Sequence, residues 1–283
     1  MDQFLRRTRL SDIVREFDLK ADKSLGQHFL LDPNLLGAIA ARAAPLAGLN
    51  VVEIGPGPGG LTRALLDSDA AHVTAVEFDT RAVRAIEALA AEAQGRLTII
   101  EADALRQDLT ALVPAPRAVV ANLPYNVGTP LLVSWLAQAG AFTAFTLMFQ
   151  LEVAERICAA PDTEAYGRLA VLSQWLCETA IVMHIPAAAF APPPKVDSAL
   201  VRLIPRPHQP DRVKFRAMER VTAAAFGQRR KMLRGALKSL GGEALLREAE
   251  IDPVRRAETL SVAEFVRLME LVVRKEGKEA GAF

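Results

Sequence analysis

From Asn50 to about Leu203, short apolar runs alternate with longer stretches of helical spacing, the pattern of repeated strand-and-helix units around a parallel sheet. The apolar runs predict strands at 51–54, 73–77, 97–100, 118–121, 144–149, 179–184 and 199–203. Helices are predicted at 61–66, 81–93, 104–112, 130–138, 152–159 and 168–176. Only a loop separates the last two strands, so a mostly parallel sheet should end in an antiparallel hairpin. Ahead of the sheet, Asp32-Pro33 pairs a capping residue with a proline at the first helical position, and its helix should run to about Ala44. Thr129-Pro130 repeats that signal.

Both ends of the chain depart from this rhythm. Residues 1–24 mix charge signs and read as an arm, with Leu10, Ile13, Val14 and Phe17 spaced for a short amphipathic helix. Pro205-Arg206-Pro207-His208-Gln209-Pro210 reads as a linker, and beyond it every segment has helical spacing. Asp252-Pro253 predicts one helix start there. Ser261-Val262-Ala263-Glu264, flanked by Leu260 and Phe265, predicts another as a capping box with its staple. From Lys275 the end should fray. The predicted organisation is an arm (1–24), an α/β domain (25–205) and a small all-helical domain (206–283).

Charge sharpens this division. The net charge is +1, yet residues 25–205 carry 11 Lys/Arg against 17 Asp/Glu while residues 206–283 carry 17 against 11. An acidic body with a basic tail suits chemistry in one part and phosphate contact in the other; undirected drift of surface charge is the competing reading. The run Gln228-Arg229-Arg230-Lys231-Met232-Leu233-Arg234-Gly235-Ala236-Leu237-Lys238 concentrates five cations. On one helix Arg230, Lys231, Arg234 and Lys238 would share a sector beside Leu233, Ala236, Leu237 and Leu240. Such a run is either a solvated face or a phosphate-binding face.

Two cysteines far apart, Cys158 and Cys177, indicate neither a disulfide framework nor zinc. The four histidines His28, His72, His184 and His208 lack partners at ligand spacing, so no metal and no general base is assigned. The N-terminal residues lack an apolar signal core, and no run of about 18 apolar residues occurs. The expectation is a monomeric cytoplasmic protein without a membrane span.

Three strand ends carry candidate chemistry. Val51-Val52-Glu53-Ile54-Gly55-Pro56-Gly57-Pro58-Gly59-Gly60 is a strand, a glycine turn and a helix start. Gly55, Gly57 and Gly60 also satisfy the dinucleotide spacing GxGxxG. Against that reading stand Glu53, an acid suited to a cationic methionyl group, and prolines that leave few N–H groups for a pyrophosphate. Glu77, about 20 residues on, is placed to take ribose hydroxyls, and Asp103 to reach an adenine amine; both are also ordinary strand-end or capping residues.

The apolar run 118–121 leads into Asn122-Leu123-Pro124-Tyr125. Asn122 Oδ1 and the Leu123 carbonyl can accept the two hydrogens of an exocyclic amine, turning its delocalised lone pair toward an electrophile. Pro124 restricts Leu123 to extended geometry and has no N–H to compete. Tyr125 can stack on the ring. The bland reading is a strand-to-helix turn. Downstream, Phe190-Ala191-Pro192-Pro193-Pro194-Lys195 is stiff enough to hold Phe190 as a second wall.

With these pieces together the chain closely resembles the bacterial 16S rRNA adenine N6-dimethyltransferases. The match runs from Gly26-Gln27-His28-Phe29-Leu30 through the glycine loop, Asn122-Leu123-Pro124-Tyr125 and Phe190-Ala191-Pro192-Pro193-Pro194-Lys195-Val196-Asp197-Ser198 to Ala225-Phe226-Gly227-Gln228-Arg229-Arg230-Lys231-Met232-Leu233-Arg234. The resemblance implies a Rossmann-like class I methyltransferase sheet, S-adenosylmethionine as donor, and dimethylation of N6 on two adjacent adenosines near the 3′ end of 16S rRNA in the assembling small subunit, as a step in ribosome biogenesis. It implies donor contacts at Gln27, His28, Leu30, Gly55, Gly57, Glu77, Asp103 and Asn122. It further implies catalysis at Asn122, Leu123, Pro124, Tyr125 and Phe190, and RNA contacts at Arg229, Arg230, Lys231, Arg234 and Lys238. His28 stands where the family most often has asparagine. Leu123 stands where DNA adenine methylases usually carry a second proline, which favours RNA. The rivals are a 23S rRNA adenine methylase and an assembly factor whose subunit binding matters more than its turnover.

Overall fold

The computed structural model describes residues 8–19, 28–228 and 231–280. In chain order the first elements are α1 (Leu10–Glu16), β1 (Phe29–Leu30), α2 (Pro33–Ala43), β2 (Asn50–Ile54), α3 (Gly60–Leu66), β3 (His72–Glu77), α4 (Thr80–Glu92) and β4 (Leu97–Glu101). There follow α5 (Leu109–Leu112), β5 (Arg117–Asn122), α6 (Gly128–Leu136), β6 (Ala144–Gln150), α7 (Leu151–Cys158), α8 (Arg168–Leu176), β7 (Cys177–Ile185), β8 (Phe190–Ala191) and β9 (Ser198–Pro205). The last are α9 (Arg212–Phe226), α10 (Leu233–Ala236), α11 (Gly242–Glu248) and α12 (Val262–Ala280).

All seven predicted strands form one sheet in the order β4-β3-β2-β5-β6-β9-β7. The pairs β2–β3, β3–β4, β2–β5 and β5–β6 are parallel, and β9 runs antiparallel to β6. Near-continuous burial of β2, β5 and β6 explains why their sequences read as apolar runs and not as alternations. Strand order reverses direction between β2 and β5, so the crevice of this sheet opens where Ile54 and Asn122 end their strands. A separate two-stranded piece joins β1 to β8, with Leu30 opposite Phe190.

Several local predictions need correction. The helix expected over 104–112 is a 3-10 turn at Ala104–Arg106 and then the short α5, because Asp103 and Asp108 each cap their own turn, accepting from Leu105 N and Thr110 N. Helix α6 begins at Gly128 with Val127 before it, so Thr129-Pro130 falls inside the first turn. Asp252 accepts from Val254 N in a turn that does not continue as a helix. Asp32, by contrast, caps α2 through Asn34 N. The Ser261–Glu264 box closes in both directions over buried Leu260 and Phe265. Helix α12 continues to Ala280 past the predicted fraying point.

Chain contacts define two compact units, one of residues 1–154 and 180–205, the other of 155–179 and 206–283. A boundary at 205 thus coincides with the predicted linker, but residues 155–179 group with the C-terminal helices. Packing accounts for this: Tyr166 is fully buried against Phe226, and Trp175 stacks on Phe215. The predicted arm is also not separate where it is described. Leu10 and Ile13 of α1 are buried in the core of the first unit. In the second unit, the predicted single basic helix is instead α10, a 3-10 turn at Lys238–Leu240 and a left-handed Gly241. The N–H groups of Leu233 and Arg234 are bonded to the carbonyls of Arg255 and Pro253, which starts the helix only at Leu233.

Candidate active site

The glycine turn after β2 is built for close approach. Gly57 has φ +53°, and a Cβ there would lie 3.0 Å from Cε1 of Phe29. Any side chain would force the Phe29 ring to give way by a few tenths of an ångström, on a backbone already in the left-handed region that favours glycine. Gly55, φ +67°, donates to the Val76 carbonyl at 2.9 Å, which ties the turn to β3.

Glu77 ends β3 and is 7% exposed. Its Oε1 accepts from Phe78 N at 2.8 Å and Asp79 N at 2.9 Å, and its Oε2 accepts from Gly57 N at 3.1 Å. Burial pushes its carboxyl above the ordinary range, against the pull of those three N–H groups. A carboxylate has about four acceptor positions, so in this arrangement Oε2 keeps room for one more donor. Taking both hydroxyls of a ribose would displace the Gly57 N–H.

Asp103, past β4, accepts from Leu105 N at 3.0 Å and pairs with Arg106 at 3.5 Å. The capping role is therefore real, and the residue also lines a cavity of about 230 Å³ with Val76, Glu77, Phe78, Leu105 and Val127. Phe78 is 69% exposed and Leu105 46%. Two large apolar side chains standing in water at the mouth of an apolar cavity between two carboxylates fit a flat heterocycle with a hydroxylated sugar. Neither was singled out from the sequence; for Phe78 the available signal was a large apolar residue directly after an acidic strand end, and Leu105 offered no such signal.

A second, smaller cavity of about 70 Å³ shares Gly55, Glu77 and Pro124 with the first and is lined further by His28, Leu30, Glu53, Gly57, Asn122, Leu123 and Tyr125. Glu53 is 1% exposed; burial pushes its carboxyl up to about 8, opposed by the bond it accepts from Thr62 Oγ1 at 2.6 Å. Asn122, the last residue of β5, donates through Nδ2 to the His28 carbonyl at 3.2 Å. That bond orients the amide, leaving Oδ1 as its unengaged acceptor among the described residues. The Leu123 side chain is buried, and its carbonyl is likewise unengaged among the described residues. Pro124 turns the chain into α6, its carbonyl accepting from Val127 N and Gly128 N.

Tyr125 is half-buried, with its hydroxyl 2.7 Å from Ser198 Oγ. The imidazole of His28 lies 5.3 Å from the Tyr125 ring and 6.3 Å, edge-on, from Phe190. Its Nδ1 donates to the Pro192 carbonyl at 2.8 Å. Phe190 itself is 4% exposed. The expected pair of walls is thus a cluster of three rings in which His28 adjoins both others, and the faces of Phe190 are covered.

Of the remaining predicted residues, Gln27, Arg229 and Arg230 lie outside the described residues. Lys231, Arg234 and Lys238 are exposed, beside a start of α10 whose first N–H groups are already bonded. Any anion there meets side chains and not helix-end amides. Among the described residues no cluster of His, Cys, Asp and Glu could hold a metal ion, and no helix is long and apolar enough to cross a membrane.

The model of the ribosomal RNA adenine dimethylase family matches residues 18–273. A protein named ribosomal RNA small subunit methyltransferase A from Gluconobacter oxydans is 62% identical over 93% of this chain and 86% of its own. Among solved structures, a dimethyladenosine transferase from Plasmodium falciparum is 26% identical, with TM-score 0.76 over 88% of this chain and 98% of its own. The 23S rRNA methyltransferase ErmE is 28% identical, with TM-score 0.65 over 86% of this chain and 99% of its own.

Proposed function

This chain belongs to the ribosomal RNA adenine dimethylase family, and from that premise we propose that it dimethylates N6 of two adjacent adenosines near the 3′ end of 16S rRNA in the assembling small ribosomal subunit, with S-adenosylmethionine as donor. When bound, the donor supplies an electrophilic methyl group on a sulfonium. The observation that carries the reading is the pair of oxygens, Asn122 Oδ1 and the Leu123 carbonyl, unengaged among the described residues at the switch point of the sheet.

These oxygens hold the two N6 hydrogens of an adenine drawn out of its stack, so that the nitrogen lone pair faces the methyl. Tyr125, steadied by Ser198, offers one ring face. Phe190 or the His28 imidazole supplies the other, Phe190 only after the imidazole yields. Positioning of this kind is worth roughly 7–11 kcal/mol when reacting atoms sit about 3–3.5 Å apart. No general base is needed, because the amine becomes acidic as it takes the methyl and its proton passes to water. In the second round one hydrogen remains, and one acceptor stays empty.

Glu77 holds the ribose, Asp103 the adenine edge, and Phe78 with Leu105 covers the adenine faces of the donor. Phe78→Ala removes a ring that is 69% exposed, so melting should be unchanged while donor affinity falls by about tenfold, the scale of one lost aromatic stack at about 1–3 kcal/mol. A calorimetric affinity equal to wild type would remove Phe78 from the donor site. For the RNA, Arg234→Ala and Lys238→Ala should each weaken subunit binding and lower its salt slope by roughly one counterion per lost phosphate contact. An identical slope would make this surface a solvated face.

The likeness to ErmE favours a second reading, methylation of 23S rRNA. Incubating the purified protein with donor and either small or large subunits, then mapping blocked adenines by primer extension, separates the two. Stops on two neighbouring adenines of 16S rRNA alone support the proposal.

A further inference from the structure

The pairing of β1 with β8 sets Phe29 opposite Ala191 and Leu30 opposite Phe190. One step further along the same register His28 meets Pro192, whose carbonyl accepts from the imidazole Nδ1 at 2.8 Å. The imidazole then lies 5.3 Å from the Tyr125 ring, tilted by 34°, and meets Phe190 edge-on at 77°. Tyr125 and Phe190 are the two rings first expected to hold the faces of an adenine. A ring of the chain itself already adjoins both.

Space is short beside Tyr125. An apolar cavity that takes a benzene has about 150 Å³, whereas the cavity bordered by Asn122, Leu123 and Tyr125 has about 70 Å³. A purine is larger than benzene, so a side chain must move before one can lie there. Most of the surroundings are fixed. Leu30, Leu123 and Phe190 are buried, and the Tyr125 hydroxyl is tied to Ser198, itself buried at the start of β9. His28 differs. It is half-buried, it precedes β1 on irregular backbone, and one hydrogen bond holds its ring among the described residues. Its main chain is held separately, the carbonyl accepting from Asn122 Nδ2 at 3.2 Å. The imidazole can therefore turn about its own side-chain bonds while the backbone stays tied to Asn122.

We propose that the His28 imidazole is a stand-in for the target base: it packs against Tyr125 in the free enzyme, turns away when an adenine enters, and uncovers Phe190 as the second wall. The inference rests on the methyl-transfer reading above and deepens it by naming what guards the base slot. The stand-in keeps the aromatic faces dry while the slot is empty, and it sets a threshold for entry. A base displaces it only when stacking and the two bonds to Asn122 Oδ1 and the Leu123 carbonyl outweigh the contacts that the imidazole gives up. Guanine and uracil present a carbonyl oxygen where adenine presents its amine, so they set acceptor against acceptor and fall short. The threshold has a kinetic cost. Contacts made by the free enzyme and absent from the transition state slow the reaction, so removing them speeds it.

The test is methyl transfer by the full chain to purified small subunits, at saturating S-adenosylmethionine so that donor affinity does not enter, read as kcat/KM for the subunits. His28→Ala removes the stand-in and should raise kcat/KM by about three- to tenfold, the worth of one ring contact. His28→Asn, also ringless, should do the same and serves if the alanine variant fails to fold. His28→Trp puts a larger ring in the slot and should lower kcat/KM by a similar factor. General damage to the site lowers kcat/KM in every variant, so a rise in the ringless ones is a result that a merely structural role does not give. Equal or lower kcat/KM in the ringless variants, or tryptophan as the fastest of the series, would overturn the proposal and make the imidazole a permanent wall, with methyl transfer intact. Absence of transfer to small subunits by the wild type would overturn the methyl-transfer reading and the proposal with it.

Discussion

Asn122→Ala should lower methyl transfer to small subunits by about 10²–10³-fold or more, the usual effect of removing one positioned hydrogen-bonding group from a reacting centre, while donor affinity changes only a few-fold. Two effects combine at this side chain. Loss of Oδ1 removes one of two acceptors for the amine, so its lone pair stays delocalised in the ring. Loss of Nδ2 frees the His28 carbonyl, bonded at 3.2 Å, and with it the segment that leads into β1. Asn122→Asp separates them, since a carboxylate still accepts but cannot donate to that carbonyl. The rate should fall for Asp as well, with a larger loss of donor affinity per unit of lost rate than Ala shows. Retained dimethylation in Asn122→Ala, followed by mass spectrometry of the subunit RNA, would take this residue out of the reaction.

Glu77→Ala should weaken donor binding by about 10²-fold, as expected when charge-assisted hydrogen bonds worth about 1.5–3 kcal/mol each are lost. The carboxylate also gathers the N–H groups of Gly57, Phe78 and Asp79, so the glycine turn and the exposed Phe78 depend on it. Glu77→Gln keeps the volume, yet its amide nitrogen cannot accept, so one of those N–H groups loses its partner. A comparable loss of affinity is expected for Gln. Because the carboxyl is raised by burial, acid should weaken the donor's hold: protonation turns one acceptor oxygen into a donor. Equal calorimetric affinities for wild type and both variants would reject the assignment.

Much of this architecture could be read before any coordinates. Strands β2, β5 and β6 are buried along most of their length, so composition alone marks them. Asn122-Leu123-Pro124-Tyr125 was legible because proline makes the preceding carbonyl predictable. What escaped depends on contacts remote in sequence. Phe78 and Leu105 come to line one cavity because β3 and β4 end side by side, with Glu77 opposite Glu101. His28 adjoins Tyr125 and Phe190 because β1 pairs with β8 across the length of the domain. The basic run breaks because carbonyls of residues 253 and 255 take the N–H groups that a longer helix would use internally. Residues 155–179 join the C-terminal helices through Tyr166 and Trp175, two aromatic contacts that no local pattern announces.

The central claim, that two oxygens at the end of β5 present an adenine amine of small-subunit RNA to a methyl donor, meets its most direct test in mass spectrometry of 16S rRNA from cells with and without this protein. Two neighbouring N6,N6-dimethyladenosines near the 3′ end, present with the protein and replaced by unmodified adenosines without it, are the predicted result. Identical modification in both, or methyl groups lost from 23S rRNA instead, would contradict it.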